Sequence, residues 1–354
     1  MSQSISIQEA QEKLKNSASP HIRKKRRSRD VMTEVMIALI PPIIAAVYFF
    51  GWWVFVQLAV STGVAVLAEY GYQKITHKKV TIYDRSVMVT GLLMGLSFPV
   101  SAPLWVVVFG SLVAVLVVKH WNFGFGRGGL GRNYLNPALT ARVIAKVFLT
   151  PFFANWILPG GFFSGPYGGY GVDAISTSTP LEYLSRGATS VSQEVPELWE
   201  LFLGLNLGGN IGETSKLAIL IGMIYLIVRR VIHPKIPLLF ITSAVLVACF
   251  WSGFDLEFMI AHAFSGTLFF AATYMATDYS SGSLTPDGKT VFAVVGGALT
   301  MILRIAVGWP GAIGVAIIIM NIAAPFIDQK FMPRIYGHNK RPNVKFDRQS
   351  TSLK

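Results

Sequence analysis

The stretch PLLFITSAVLVACFWSGF, residues 237–254, is eighteen residues long and holds no charged side chain. A bilayer core about 30 Å thick needs roughly 20 apolar residues per helix, so this run reads as one crossing. Nine further apolar segments extend the pattern in both directions: 32–50, 52–70, 86–98, 103–118, 134–153, 216–232, 258–277, 290–307 and 311–328. Composition agrees, with 52% hydrophobic and 14% charged residues over 354 positions and a mean hydropathy of +0.51. A soluble domain lies well outside that range. The expectation is an all-α polytopic membrane protein of about ten transmembrane helices.

The net charge of +13 encodes topology. Lys and Arg are not interleaved with aromatic base-stacking positions, so no nucleic-acid partner is expected. Basic residues fill the tail 1–30 (Arg23, Lys24, Lys25, Arg26, Arg27, Arg29) and the tail 329–354 (Lys330, Arg334, Lys340, Arg341). By the positive-inside rule both termini are cytoplasmic. Ten crossings then place Lys74, Lys78, Lys79, Arg85, Lys119, Arg127, Arg132, Arg229, Arg230, Lys235 and Lys289 on that same side. The opposite loops hold Asp173, Glu182, Glu194, Glu197, Glu200, Glu213, Asp255 and Glu257. The tails also suit anionic membrane lipid. The first apolar run follows thirty polar residues, so it reads as an uncleaved first helix.

Two halves, 31–153 and 216–328, flank a long outward-facing loop, 154–215. Five crossings per half would give any internal repeat opposite orientations. Segments 86–98 and 216–228 are each about 20 Å of helix, too short to cross alone, and so point to an inverted repeat, although they do not hold the same rank in their halves. Short spans leave backbone free to line a site.

The long loop contains DAISTSTPL, residues 173–181. Ser, Thr and Pro are ordinary turn residues, so an exposed turn is the plain reading of this motif alone. GGNIGETS, 208–215, offers Thr214 or Ser215 as the N-cap of the next helix, a start that attracts anions. The glycine-rich 124–143 loop carries Asn133, Asn136 and Pro137; it lacks the βαβ setting of a dinucleotide fingerprint. A third loop, 275–289, holds Asp278 in a Ser/Gly-rich turn. Within spans, Arg142 and Lys146 share a helix face, whereas Arg304, near a span end, is expected to snorkel. The histidines lack metal-ligand spacing, and His262, deep in a span, reads as a hydrogen-bonded core residue. Cys249, the single cysteine, permits neither a disulfide nor an iron–sulfur cluster on this chain alone and reads as a buried thiol.

Taken in order, GGLGRNYLNPA, DAISTSTPL, GNIGETSKLAILIG and MATDYSSG resemble the RnfD/NqrB family of bacterial respiratory complexes over residues 30–335. The length and short N-terminal tail look more like RnfD. The resemblance implies flavin mononucleotide (FMN) joined through its phosphate to a threonine at the last position of a Ser-Gly-Ala-Thr-like motif, in a periplasmic loop of an inner-membrane protein. Ser176 and Thr179 occupy the outer positions of that motif, with Asp173 just upstream, and Thr179 is the expected attachment point. Thr177 and Ser178 stand where Gly and Ala are usual, which leaves them as alternatives; Tyr279 departs from the family's Asp-Pro. The resemblance also implies a non-covalent riboflavin, with the 128–138 loop and spans 86–98 and 216–228 as walls and Asn133, Asn136, Arg142, Thr214 and Ser215 as pocket candidates. Implied partners are the other subunits of an ion-translocating ferredoxin:NAD oxidoreductase, which would perform the ferredoxin and NAD chemistry, and a flavin transferase. The coupling ion, Na⁺ or H⁺, is not legible. The competing expectation is a channel or secondary transporter for a small solute, since five-helix inverted repeats with short spans also build transporters.

Overall fold

A computed structural model describes residues 27–121, 123, 133–153, 156, 179–184, 196–205, 207–309 and 311–332. Helix occupies every one of the ten apolar segments, and no strand occurs among the described residues beyond one isolated bridge, Pro99 to Asn210. The first half comprises α1 (Ser28–Ala38) and α2 (Ile40–Phe50), which form one span broken near Pro41 and Pro42, then α3 (Trp53–Ile75), α4 (Ser86–Leu96), α5 (Leu104–Leu112) and α6 (Pro137–Phe148). Helix α5 runs on as a π-helix, Val113–Trp121. Two short helices, α7 (Pro180–Leu184) and α8 (Leu198–Leu203), precede the second half. That half comprises α9 (Lys216–Val228), α10 (Lys235–Ser252), α11 (Leu256–Phe264), α12 (Leu268–Tyr274), α13 (Pro286–Ile305) and α14 (Ala312–Lys330).

Length and composition qualify six of these spans to cross a membrane, and the pair α11/α12, bent by 55°, makes a seventh. Three of the ten expected crossings are shorter: α4 with 11 residues, α6 with 12 and α9 with 13. The expected span 134–153 shrinks to α6 for a local reason. Asn136 caps its start, with Oδ1 accepting from the Leu139 amide at 3.1 Å and Pro137 at the first turn, and Pro151 stops its continuation.

The two halves pack alike. In each, the second segment lies against the third and fourth, and the fifth lies against the third and fourth. Between halves, the first segment (α1/α2) meets its counterpart α9, and α6 meets its counterpart α14. The third segment is the irregular one in both halves, short α4 in one and bent α11/α12 in the other. Shortness alone, which paired α4 with α9, pointed to the wrong partner, because a bend shortens the reach of a span without shortening its sequence.

The core is a continuous apolar cluster from both halves, including Leu39, Phe240, Phe258, Phe270 and Ile317. Helix faces come together through small residues, as membrane helices require. A Cβ at Gly222 would lie 2.0 Å from Tyr274 Oη and 2.3 Å from the Ala38 carbonyl oxygen. One at Gly297 would lie 2.1 Å from the Phe240 carbonyl oxygen. Cys249 is buried and free.

Candidate cofactor sites

Non-helical backbone inside a membrane protein survives only where protein or a cavity satisfies its polar groups. Two such regions occur among the described residues, at opposite ends of the bundle.

The first lies where the bend at Ser265-Gly266-Thr267 meets the turn before α9. At this bend Gly266 takes a left-handed φ of +65°. Leu181 packs on it so closely that a Cβ there would sit 2.7 Å from Leu181 Cδ2. Leu184, from the same short helix α7, is buried with Leu201, Leu207 and Ala261. Those two leucines anchor the end of the hydroxyl-rich loop and thereby fix Thr179, the residue just before α7, half-buried in the wall of a pocket partly open to solvent. Arg142, Lys146 and Lys216 line that pocket, and Glu213 is its one carboxylate among the described residues.

Glu213, read from sequence as an outward acidic residue, is buried. Its Oε1 accepts from the Asn210 amide at 3.1 Å in a capping box. Its Oε2 has no hydrogen-bond partner among the described residues and lies 3.8 Å from Arg142 Nη2. Arg142 Nη2 also donates to Thr267 Oγ1 at 3.4 Å, and Lys216 Nζ donates to the Glu213 carbonyl. Ser215 is the N-cap of α9, accepting from the Ala218 amide at 3.3 Å; Thr214 donates back to the Asn210 carbonyl at 3.2 Å and lines the pocket.

Arg304 does not snorkel. It is fully buried, and its Nη1 donates to the His262 carbonyl oxygen at 2.8 Å, satisfying backbone freed near the bend. Its Nε and Nη2 have no partner among the described residues. His262 also departs from expectation: it is buried, but neither ring nitrogen has a hydrogen-bond partner among the described residues.

The second region lies at the end carrying the basic loops. Here Asn136 Nδ2 donates to the Met275 carbonyl at 3.3 Å and faces Asp278 Oδ2 at 3.5 Å, tying the start of α6 to the turn after α12. Beside them opens a cavity that is partly open to solvent. Its walls include Ser86, Val89, Thr90 and Leu93 of α4, Asn133 and Asn136, Leu226 of α9, and Tyr274 and Tyr279. Segments 86–98, 128–138 and 216–228 thus contribute to one cavity. Burial, then the nearby Asp278 and Asp84 carboxylates, push the Tyr279 phenol up. Lys119, at the end of the π-helix, brings a cation to this wall; in the sequence it looked like one more topology charge.

Of the residues singled out from sequence, Thr179, Arg142 and Thr214 share the first pocket, Asn133 and Asn136 share the second, and Ser215 lies in neither. Asp173, Ser176, Thr177 and Ser178 lie outside the described residues. As pocket residues, Lys216 and Thr267 escaped sequence reading, and Glu213 and Lys119 were read only as loop charges. Three of these four are buried polar groups that a hydropathy scan places at span ends, and Thr267 is hidden within an apolar span.

Fold and sites together define an α-helical polytopic membrane protein with a pocket recessed into each end of its bundle, one lined by cations and the other mostly apolar with a few polar groups. The chain belongs to the NQR2, RnfD, RnfE family, whose model matches residues 15–337. It is 38% identical, over 92% of its length and 95% of the relative's, to the D subunit of the Na⁺-translocating ferredoxin:NAD⁺ oxidoreductase complex of Acetobacterium woodii. It is 32% identical to the D subunit of the proton-translocating ferredoxin:NAD⁺ oxidoreductase complex of Clostridium ljungdahlii, over 91% of its length and 95% of the relative's. To the D subunit of the ion-translocating oxidoreductase complex of Escherichia coli it is also 32% identical, over 92% and 98%.

Proposed function

We propose that this chain is the D subunit of an Rnf-type ion-translocating oxidoreductase of the bacterial inner membrane, and that it carries FMN esterified through its phosphate to Thr179. The observation that carries this reading is the company Thr179 keeps. Thr179 stands in the wall of a pocket where Arg142 Nη2 lies 3.8 Å from the Glu213 carboxylate and Lys216 Nζ donates to the Glu213 carbonyl. Cations in a desolvated site are costly unless an anion meets them, and a phosphodiester supplies one. The donor set fits: Arg142 offers a planar fork suited to phosphate oxygens, and Lys216 a point charge.

A bound flavin would supply reversible one- and two-electron transfer. The chain's own residues hold and orient. Arg142 and Lys216 neutralise the phosphate, and Leu181 and Leu184 hold the attachment point against the bend. Ferredoxin and NAD chemistry belongs to other subunits. A second, non-covalent flavin of riboflavin type suits the cavity at the basic end, where Asn133, Asn136 and the α4 and α9 walls would receive it.

Intact mass and in-gel fluorescence of the chain, from cells that supply the flavin transferase, test the covalent assignment. The expected result is an added FMN and a fluorescent band, both lost in Thr179→Ala. A bare polypeptide mass overturns the electron-carrier reading and favours a solute transporter; survival of the signal in Thr179→Ala moves the attachment to Thr177 or Ser178.

A further inference from the structure

The buried ion pair Lys119–Glu69 touches neither the phosphate pocket nor the amides that would receive a second flavin. Glu69 of α3 and Lys119 of the π-helical end of the fourth span are both essentially without solvent exposure, with Nζ 2.6 Å from Oε2. Lys119 Nζ also donates to Ser86 Oγ at 2.8 Å. Gln73 Nε2 donates to Glu69 Oε1 at 3.1 Å and to Thr81 Oγ1 at 2.8 Å, so the carboxylate is held from the side away from Lys119. An ammonium has three donors and no acceptor; Glu69 and Ser86 take two. Lys119 lines the cavity beside Asn136, whereas Glu69 does not. The pair is therefore oriented, its positive end toward the cavity and its negative end behind. Long π-helical stretches are rare and concentrate at functional sites, and here one carries the cation to the cavity wall.

We infer that Lys119 is a positioning and tuning residue for the cavity's ligand: its ammonium raises the reduction potential of a planar redox ring bound there, and Glu69 limits how far. This rests on the proposal that a non-covalent flavin occupies the cavity. Each electron the ring accepts from the reductant oxidised by the complex adds one negative charge, and that electron leaves to the next acceptor. A fixed cation in a poorly screened cavity favours the reduced form. Removing the cation makes reduction harder; removing the carboxylate behind it makes reduction easier.

The test is a redox titration, followed by flavin absorbance, of the whole complex in a Thr179→Ala background. Three variants are compared: Glu69→Gln, the neutral double variant Lys119→Met/Glu69→Gln, and the charge-preserving Lys119→Arg. The expected result is one flavin whose midpoint falls in the double variant and rises in Glu69→Gln. Each shift corresponds to a tenfold or greater change in the one-electron equilibrium, about 59 mV per factor of ten. Lys119→Arg leaves the midpoint nearer the parent than either. Opposite signs distinguish tuning from structural damage, which moves both variants the same way. Midpoints unchanged in every variant, with flavin retained, overturn the role of Lys119 alone. A complex carrying Ala138→Trp, which fills the cavity, loses one equivalent of acid-extractable flavin. Full retention of flavin there removes the cavity flavin, and this role with it.

Discussion

The tight approach between the halves at Gly222 gives the sharpest stability prediction. Gly222 of α9 faces both the Ala38 carbonyl, at the break of the first span, and Tyr274 at the end of α12. The Tyr274 hydroxyl donates to that same carbonyl at 2.8 Å. A methyl group at position 222 would lie 2.0 Å from the hydroxyl and 2.3 Å from the carbonyl oxygen. Backbone cannot rotate away as a side chain can, so α9 must separate from α1 and the hydroxyl must give up its bond. Overpacking of this kind costs about 1–3 kcal/mol, and leaving a buried hydrogen-bond partner unmade costs about 1–3 kcal/mol more. The gain in helix propensity from Gly to Ala returns about 1 kcal/mol, for a net loss of about 1–5 kcal/mol. Gly63→Ala is the internal control, since nothing lies within 4 Å of a Cβ there and only the propensity gain remains. The assay is the thermal inactivation half-life of the purified complex, read from the fraction still monodisperse on size exclusion. Gly222→Ala should be markedly short-lived, and Gly63→Ala equal to or longer-lived than the parent. Adding Tyr274→Phe should not rescue Gly222→Ala, because the 2.3 Å contact with Ala38 persists. Equal half-lives for Gly222→Ala and Gly63→Ala would refute the assignment of this contact as the limiting approach.

Other consequences are equally concrete. Asp328, fully buried, accepts from the amides of Leu284 and Thr285 and from the hydroxyls of Ser283 and Thr285. Asp328→Ala strands two amides at about 1–3 kcal/mol each and should abolish accumulation of folded protein, while Asp328→Asn, which keeps an acceptor, should accumulate at an intermediate level on a membrane immunoblot. Asn136→Ala loses a helix cap worth about 1 kcal/mol together with the bond to Met275, and should lower acid-extractable flavin while leaving the covalent flavin on the gel band intact. Arg142→Gln and Lys216→Gln should each reduce the fraction of chain carrying added FMN by intact mass, and unchanged occupancy in both would remove these cations from phosphate recognition.

The helical, membrane-spanning character was legible because a bilayer imposes a length and a polarity that a hydropathy reading recovers, and PLLFITSAVLVACFWSGF shows both without help from its neighbours. Where each helix stops was less legible. The segment 134–153 is apolar on average, yet Asn136 and Pro137 set a start and Pro151 an end that a running average smooths over. Buried polar residues were the hardest. Arg304 sits within a few residues of a span end, where snorkelling is the ordinary outcome. Only the bend at Gly266, whose freed carbonyl at His262 needs a donor, explains why its guanidinium turns inward. Glu213 and Lys119 were hidden similarly, since a charge next to a span looks the same in sequence whether it faces water or folds back. Thr179 was legible as a hydroxyl in a motif. That Arg142 of α6 and Lys216 of α9 meet beside it depends on contacts between halves, which no local pattern contains.

The placement of the two pockets follows from how the halves are built. A helix that crosses completely keeps its backbone groups to itself and offers a ligand only side chains. A helix that stops short, as α4, α6 and α9 do, or bends, as α11/α12 does, exposes a terminus inside the bundle. Each exposed terminus must be satisfied by a cap, a buried charge or a ligand. The shared packing of the halves brings these termini together at both ends: the start of α9 with the bend after α11 at one, and the start of α6 with the end of α12 at the other. The side chains that close these ends, Arg142, Lys216 and Arg304 in one place and Asn136, Asp278 and Lys119 in the other, differ in charge. The first end is rich in cations and suits a phosphate. The second, mostly apolar with Asn133, Asn136 and Lys119 in its wall, suits the neutral ring proposed for it.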